Sequence, residues 1–388
     1  LPTVDDTESD GGNLLLRWSR VLGNGSDFAL QMYYDHVGLD GIVLQEDRDT
    51  FDLDFQHHFQ WQNKHDVVWG FDYRYTHDDT DDTSSFSLHS SSRGVNLYST
   101  FMQDEITLRD DLRLILGSKL EHNDFTGFEI QPNVRLAWTF KEDQTLWGAV
   151  SRAVRTPARG EHDVTLRVVP PPDQDFGVPF FAEGNSSYDS EDLVAYELGY
   201  RLNYHNIWSV DVAAFYNDYD NLRTLESEFD PAPAVLLPFN NNMSGETHGL
   251  EIAGLWQVQP GWRLNASYSY LDMSLDLHKG SPDTSSKSSE DASPSSKAAL
   301  WSALDLGNNF EFDAALRYVD DVKVSGIEID SYVELDLRLG WEAKPGLELS
   351  LIGQNLLDNH HPEFLPDFIS SQPTEVERSI YGRVTWDF

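Results

Sequence analysis

Apolar and polar side chains alternate with a period of two over segment after segment, which restricts this chain to strands with two unlike faces. Val333, Leu335, Leu337, Leu339 and Trp341 alternate with Tyr332, Glu334, Asp336 and Arg338. Phe51, Leu53, Phe55, Phe59 and Trp61 oppose Asp52, Asp54, Gln56, His58 and Gln60. Ile130, Val134, Leu136, Trp138 and Phe140 oppose Gln131, Asn133, Arg135 and Thr139. The chain closes the same way, with Ile380, Val384, Trp386 and Phe388 against Tyr381, Arg383, Thr385 and Asp387. These segments run roughly 10–15 residues, against ~5–6 for a soluble strand. A tilted strand crossing a bilayer needs about 9–11. Aromatic residues gather near the segment ends, where a membrane barrel carries its interfacial girdles.

The composition fits that reading. Only 39% of residues are hydrophobic, and no run approaches the ~20 apolar residues of a helical span. A barrel keeps its polar half on the lumen side, so modest hydropathy is compatible with membrane insertion. Leu1-Pro2-Thr3-Val4-Asp5-Asp6 has neither the basic nor the apolar region of a signal peptide, so a mature form or a fragment is expected. Cysteine is absent, which removes disulfides and thiolate metal sites. The formal net charge is −39, from 66 acidic and 27 basic residues, and such a chain repels nucleic acid. The run Asp78-Asp79-Thr80-Asp81-Asp82 lacks the spacing of an EF-hand loop and reads as a solvated loop tip.

Alternation marks about seventeen strands between residues 13 and 388, in the range of the larger outer-membrane barrels. Brief turns such as Asn63-Lys64, His205-Asn206 and Asn308-Asn309 alternate with longer loops at 39–48, 79–93, 156–190, 226–246, 278–296, 325–330 and 358–377. Short turns on one rim and long loops on the other form the outer-membrane barrel layout, with the turns periplasmic. The Ser-rich 278–296 loop is expected to be mobile. A periplasmic C-terminus makes the last strand descend, and an odd strand count makes the first descend too. Bacterial barrels close with even numbers of strands. An incomplete barrel is therefore expected, with a gap between the first and last strands or a forced closure of the two.

Five segments resemble the TonB-dependent receptors, plugged 22-stranded transporters of the Gram-negative outer membrane. Phe101-Met102-Gln103-Asp104-Glu105 is similar to the family's Phe-x-Gln-Asp-Glu strand. Ser151-Arg152-Ala153-Val154-Arg155-Thr156-Pro157 resembles its Ser-Arg-Ala-x-Arg-x-Pro entry into a long outer loop. Glu197-Leu198-Gly199-Tyr200-Arg201, Asn355-Leu356-Leu357-Asp358 and the terminal strand follow in the family's order. The resemblance implies an all-β transmembrane antiparallel barrel over 1–388, with about seventeen of 22 strands present and the N-terminal plug and first strands missing. It implies uptake of a scarce nutrient, such as a ferric siderophore or other metal chelate, by a receptor in the cell outer membrane. The expected partners are outer-membrane lipid, an extracellular small molecule and the TonB energy-transducing protein, met through the missing N-terminal region. A monomer is expected, with no nucleic acid and no cofactor. The haem-receptor form of the loop motif is unmatched, and Phe388 is expected to aid barrel assembly.

Long outer loops bind the ligand in this family, so the candidate contacts are Arg159, His162, Arg167, Phe180, Phe181, Tyr188, His360 and His361. The Pro170-Pro171-Pro172 run and Phe176 lie in the same loop as the first six. For each residue the competing reading is ordinary loop packing. Adjacent histidines on a strand face opposite sides, so neither His57-His58 nor His360-His361 makes a metal pair from an undistorted strand. No nucleophile motif or catalytic carboxylate pair stands out, and no enzyme is expected. Two other readings stay open, a passive porin and a soluble all-β binding protein such as a propeller. A plug upstream in the full gene would separate the receptor from the porin. Extraction without detergent would favour the soluble protein.

Overall fold

Two-residue turns with both residues at positive φ set the first architectural constraint. Gln62 and Asn63 have φ of 54° and 52°, and Asn308 and Asn309 have 51° and 65°. This backbone matches the right-handed twist of flanking strands, and asparagine tolerates it. The structure, a computed structural model, describes residues 7–168, 179–229, 234–324, 326–363 and 374–387. The Pro170-Pro171-Pro172 run, Phe176 and Phe388 lie outside the described residues.

Seventeen long strands make a continuous meander. They are β1 (Glu8–Val21), β2 (Asp27–Asp40), β3 (Gln45–Trp61), β4 (His65–Asp81), β5 (Ser92–Arg109), β6 (Leu112–Asn123), β7 (Gly127–Lys141) and β8 (Gln144–Arg155). Then follow β9 (Glu191–Tyr204), β10 (Trp208–Leu225), β11 (Val235–Gln259), β12 (Trp262–Leu277), β13 (Ser296–Gly307), β14 (Phe310–Val319), β15 (Tyr332–Lys344), β16 (Leu347–Gln354) and β17 (Ser379–Trp386). Each pairs antiparallel with its sequence neighbours, from Glu8↔Asp40 at one end to Leu347↔Trp386 at the other. Among the described residues no ladder joins β1 to β17. This is the gap that the parity argument anticipated. All of β1 is exposed, with Val21 at 74% and Trp18 at 56%.

The register keeps the two faces apart. Leu30, Phe55 and Phe71 are cross-strand neighbours on one face, and Gln31, Asp54 and Asp72 on the other. Aromatic pairs collect near the short-turn rim on the apolar face. Trp208 stacks on Trp256 at 4.6 Å, Phe310 on Trp341 at 5.7 Å, and Trp18 meets Phe28 edge-on at 4.9 Å. A ring this size is too polar at its edge for hydrocarbon and too apolar for water, so it favours the interface. On the polar face the charges are cross-linked. Arg338 reaches Asp313 at 2.7 Å and Glu311 at 3.1 Å, and Arg74 reaches Asp52 at 2.8 Å.

Several of the expected loops carry regular structure, and three of them show why. The 39–48 loop shrinks to 41–44, because β2 and β3 stay paired out to Asp40↔Gln45, and the Gly41 N–H closes the turn on the Leu44 carbonyl. Most of 226–246 is strand, because β11 runs past its partner and pairs beyond the barrel wall. The 278–296 loop carries a short 3₁₀ helix, Ser286–Ala292, and is tied down rather than loose. Its Asp283 accepts the Leu225 N–H at 2.7 Å, and its Glu290 accepts the Leu275 N–H at 2.9 Å.

Candidate outer-rim ligand site

The long loops on one rim fold into a second, smaller sheet continuous with the strands below. Phe86–Leu88 pairs with Val164–Val168, which pairs with Phe180–Glu183, and that strand lies parallel to the start of β11 at Phe180↔Val235. The sequence favours this because Val164, Val168, Phe180, Ala182, Tyr188, Val235 and Phe239 supply an apolar layer with no other core to join. Burying these side chains holds together three loops that are far apart in sequence.

A short helix, Arg159–Asp163, sits at the entrance of this layer after Pro157. Its Glu161 accepts the Ala158 N–H at 2.9 Å and takes Arg155 at 2.8 Å. Arg155 also binds Glu191 at 2.7 Å and donates to the Tyr188 hydroxyl at 2.7 Å, which in turn donates to Glu191 at 2.9 Å. Burial, then the charges of Glu191 and Glu161, push the Tyr188 phenol well above its ordinary range, so it stays a donor. A second knot ties the helix to the neighbouring loop. Arg159 pairs with Asp78 and, at 3.5 Å, with Asp163, which also takes Arg93 at 2.6 Å. Arg93 lies over the Phe125 ring at 4.9 Å, and His162 packs on the same ring at 4.7 Å.

The sequence candidates thus divide by environment. His162, Phe180 and Tyr188 are buried in the outer layer and hold it together. Arg159 is largely covered and ion-paired. Phe181 is half-buried, and Arg167 is exposed beside the Ser85 carbonyl that its backbone binds. His360 and His361 lie on a separate hairpin, His360–Pro362 with Glu375–Glu377. Strand alternation separates the pair as expected. His360 is exposed and bonds Glu375 at 2.9 Å, while His361 is buried and stacks on Tyr332 at 4.1 Å. His57 and His58 separate likewise: His57 accepts from the Trp69 indole N–H at 3.0 Å on the apolar face, and His58 bridges Asp27 and Asp66 on the polar one.

Sequence reading missed Glu191 and Arg93, which meet Arg155 and Asp163 from tens of residues away. Arg155 and Tyr188 were visible, one as a motif residue and one as a loop aromatic, but their meeting was not. At the surface of this layer Arg167 is exposed and Phe181 half-exposed.

Comparison with known proteins defines the class. The family model described as "TonB dependent receptor-like, beta-barrel" matches residues 2–356, and the chain belongs to that family. The "Iron-regulated outer membrane virulence protein" of Vibrio cholerae is 25% identical over 212 residues, covering 50% of this chain and 30% of the relative. The "Ferric enterobactin receptor" of Pseudomonas aeruginosa is 24% identical over 204 residues, covering 49% and 27%. The siderophore receptor PirA of Acinetobacter baumannii superposes with a TM-score of 0.76 at 14% identity, over 98% of this chain and 63% of that one. The FrpB iron transporter of Neisseria meningitidis gives 0.74 at 12%, over 98% and 63%. These superpositions establish a transmembrane antiparallel β-barrel fold. The chain spans less than two thirds of the length of these relatives.

Proposed function

We propose that this chain is the barrel portion of a TonB-dependent outer-membrane receptor that imports a ferric siderophore. The packed outer layer on the long-loop rim carries the reading, because a passive pore has no need of three loops folded around one apolar core. The relatives support the cargo: proteins similar to this chain are titled siderophore and ferric enterobactin receptors. Arg167, Phe181 and His360 are the candidates with surface available to a ligand, while His162, Phe180, Tyr188 and Arg159 hold the surface in place. In the working receptor a plug fills the lumen and TonB acts on it. The free edges of β1 and β17 are met by an odd number of further antiparallel strands, since an unpaired edge in lipid costs several kcal/mol per group.

The test is uptake of radiolabelled ferric siderophore by Gram-negative cells that lack their own receptors and express the full gene. Uptake that needs both the gene and TonB is the expected result. Entry of small solutes irrespective of TonB would favour a passive pore.

A further inference from the structure

We propose that Glu334, His361 and Glu363 form a binding site for a divalent transition-metal ion of the zinc class, which clips the last outer hairpin to the rim of β15. The proposal is independent of the siderophore reading. Each of the three residues offers one donor atom, and the three atoms lie within 4.8 Å of one another. Glu334 and His361 are buried, and Glu363 is exposed.

The charge arrangement favours a cation. Arg317 binds Glu334 at 2.8 Å and Asp336 at 2.7 Å, so one guanidinium already serves two carboxylates. Glu363 then brings a third acid to the same place, and its Oε1 lies 3.2 Å from Nε2 of His361. Carboxylates that converge on one partly buried spot favour a proton or a further cation between them.

A second observation concerns Asn355. Its side chain is fully buried, its Nδ2 lies 3.4 Å from Nδ1 of His361, and its Oδ1 has no hydrogen-bond partner. The amide nitrogen faces the imidazole, and the fully buried oxygen left without a donor is a group that a bound water or ion nearby would satisfy. The Asp358 carboxylate stands 3.4 Å from the same Nδ1. A metal on Nε2 leaves the proton on Nδ1, and a carboxylate there orients the ring and raises its basicity, as in carboxylate–histidine–metal triads.

The donor set selects the ion. One imidazole nitrogen and two carboxylate oxygens suit zinc, with bonds of about 2.0–2.2 Å and water completing the shell. Calcium and magnesium prefer oxygen alone. Bonds of that length place tetrahedral donors about 3.4 Å apart, so the side chains close by about 1.4 Å at most. Glu363, exposed and just past the hairpin strand, has the freedom to do so.

The experiment uses the full-length receptor in detergent, stripped with chelator and titrated with Zn2+ by calorimetry, with Co2+ absorption as the coordination readout. The wild type is expected to bind one equivalent that excess Ca2+ and Mg2+ leave in place, with a visible Co2+ band. Glu363→Gln, a change at an exposed side chain that leaves folding intact, is expected to weaken this binding at least tenfold, and His361→Ala to abolish it and the band. Equal zinc affinity in wild type and Glu363→Gln, or no binding by the wild type, would overturn the proposal and leave His361 as a hydrogen-bonded packing residue.

Discussion

Leu337 shows what a single side chain contributes in a wall with two solvents. It lies opposite Ala314 and Gly353 on the apolar face, flanked along β15 by Asp336 and Arg338 on the other. Leu337→Arg is expected to cost roughly 2–4 kcal/mol if the residue lies near the bilayer midplane. Denaturant titration in lipid vesicles measures this, and a change within error would remove the residue from the lipid. Asp283 works by hydrogen bonding. Burial alone would raise its pKa, but Ser286, Ser285 and the Leu225 N–H outweigh that and hold the carboxyl below its ordinary range. A depressed carboxyl stabilises above its unfolded pKa and loses that contribution as pH falls through the folded one. The 278–296 loop is therefore expected to stay docked at neutral pH and to release only below about pH 4. Hydrogen exchange at Leu225, compared with Asp283→Asn, reads this out; equal protection in the two proteins at pH 7 would contradict it. At this scale the faces were legible because alternation is local. The meetings of Asp283 with Leu225, of Arg155 with Tyr188 and Glu191, and of His361 with Tyr332 were not, because those partners lie tens of residues away.

The elements divide the same way. Strand number and the short turns were legible, since each hairpin carries its own turn residues and its own alternation. The outer ends were not. The 39–48 and 226–246 segments read as loops, yet cross-strand pairing runs out to Asp40↔Gln45 in the first and past the run Asn240-Asn241-Asn242 to Phe239 in the second. The outer sheet depends on a close approach at Gly184. A Cβ there would lie 2.4 Å from the Asp163 nitrogen and 2.6 Å from that of Val164. Those atoms are backbone and have little room to yield. Gly184→Ala is expected to destabilise the outer layer by about 1–3 kcal/mol while leaving the barrel strands intact. Limited proteolysis should then cut the 156–190 loop faster, with unchanged strand content by circular dichroism. An unaltered cleavage rate would show that the layer is held elsewhere.

At the scale of the whole molecule, the meander, the two faces and the free edges follow from one pattern repeated along the chain. The family resemblance was legible because its motifs sit on strands whose neighbours are fixed by sequence order. The outer layer was not, because it is built from three insertions whose mutual packing leaves no periodic trace. The central claim is that the apolar face meets lipid and the polar face meets water. It is tested most directly by nitroxide scanning of β15, one label at a time from Val333 to Trp341, with the full receptor in bilayers. The account predicts accessibility to lipid-soluble oxygen at 333, 335, 337 and 339, alternating with accessibility to a water-soluble nickel complex at 334, 336 and 338. Equal accessibility at both parities, or the opposite alternation, would contradict it.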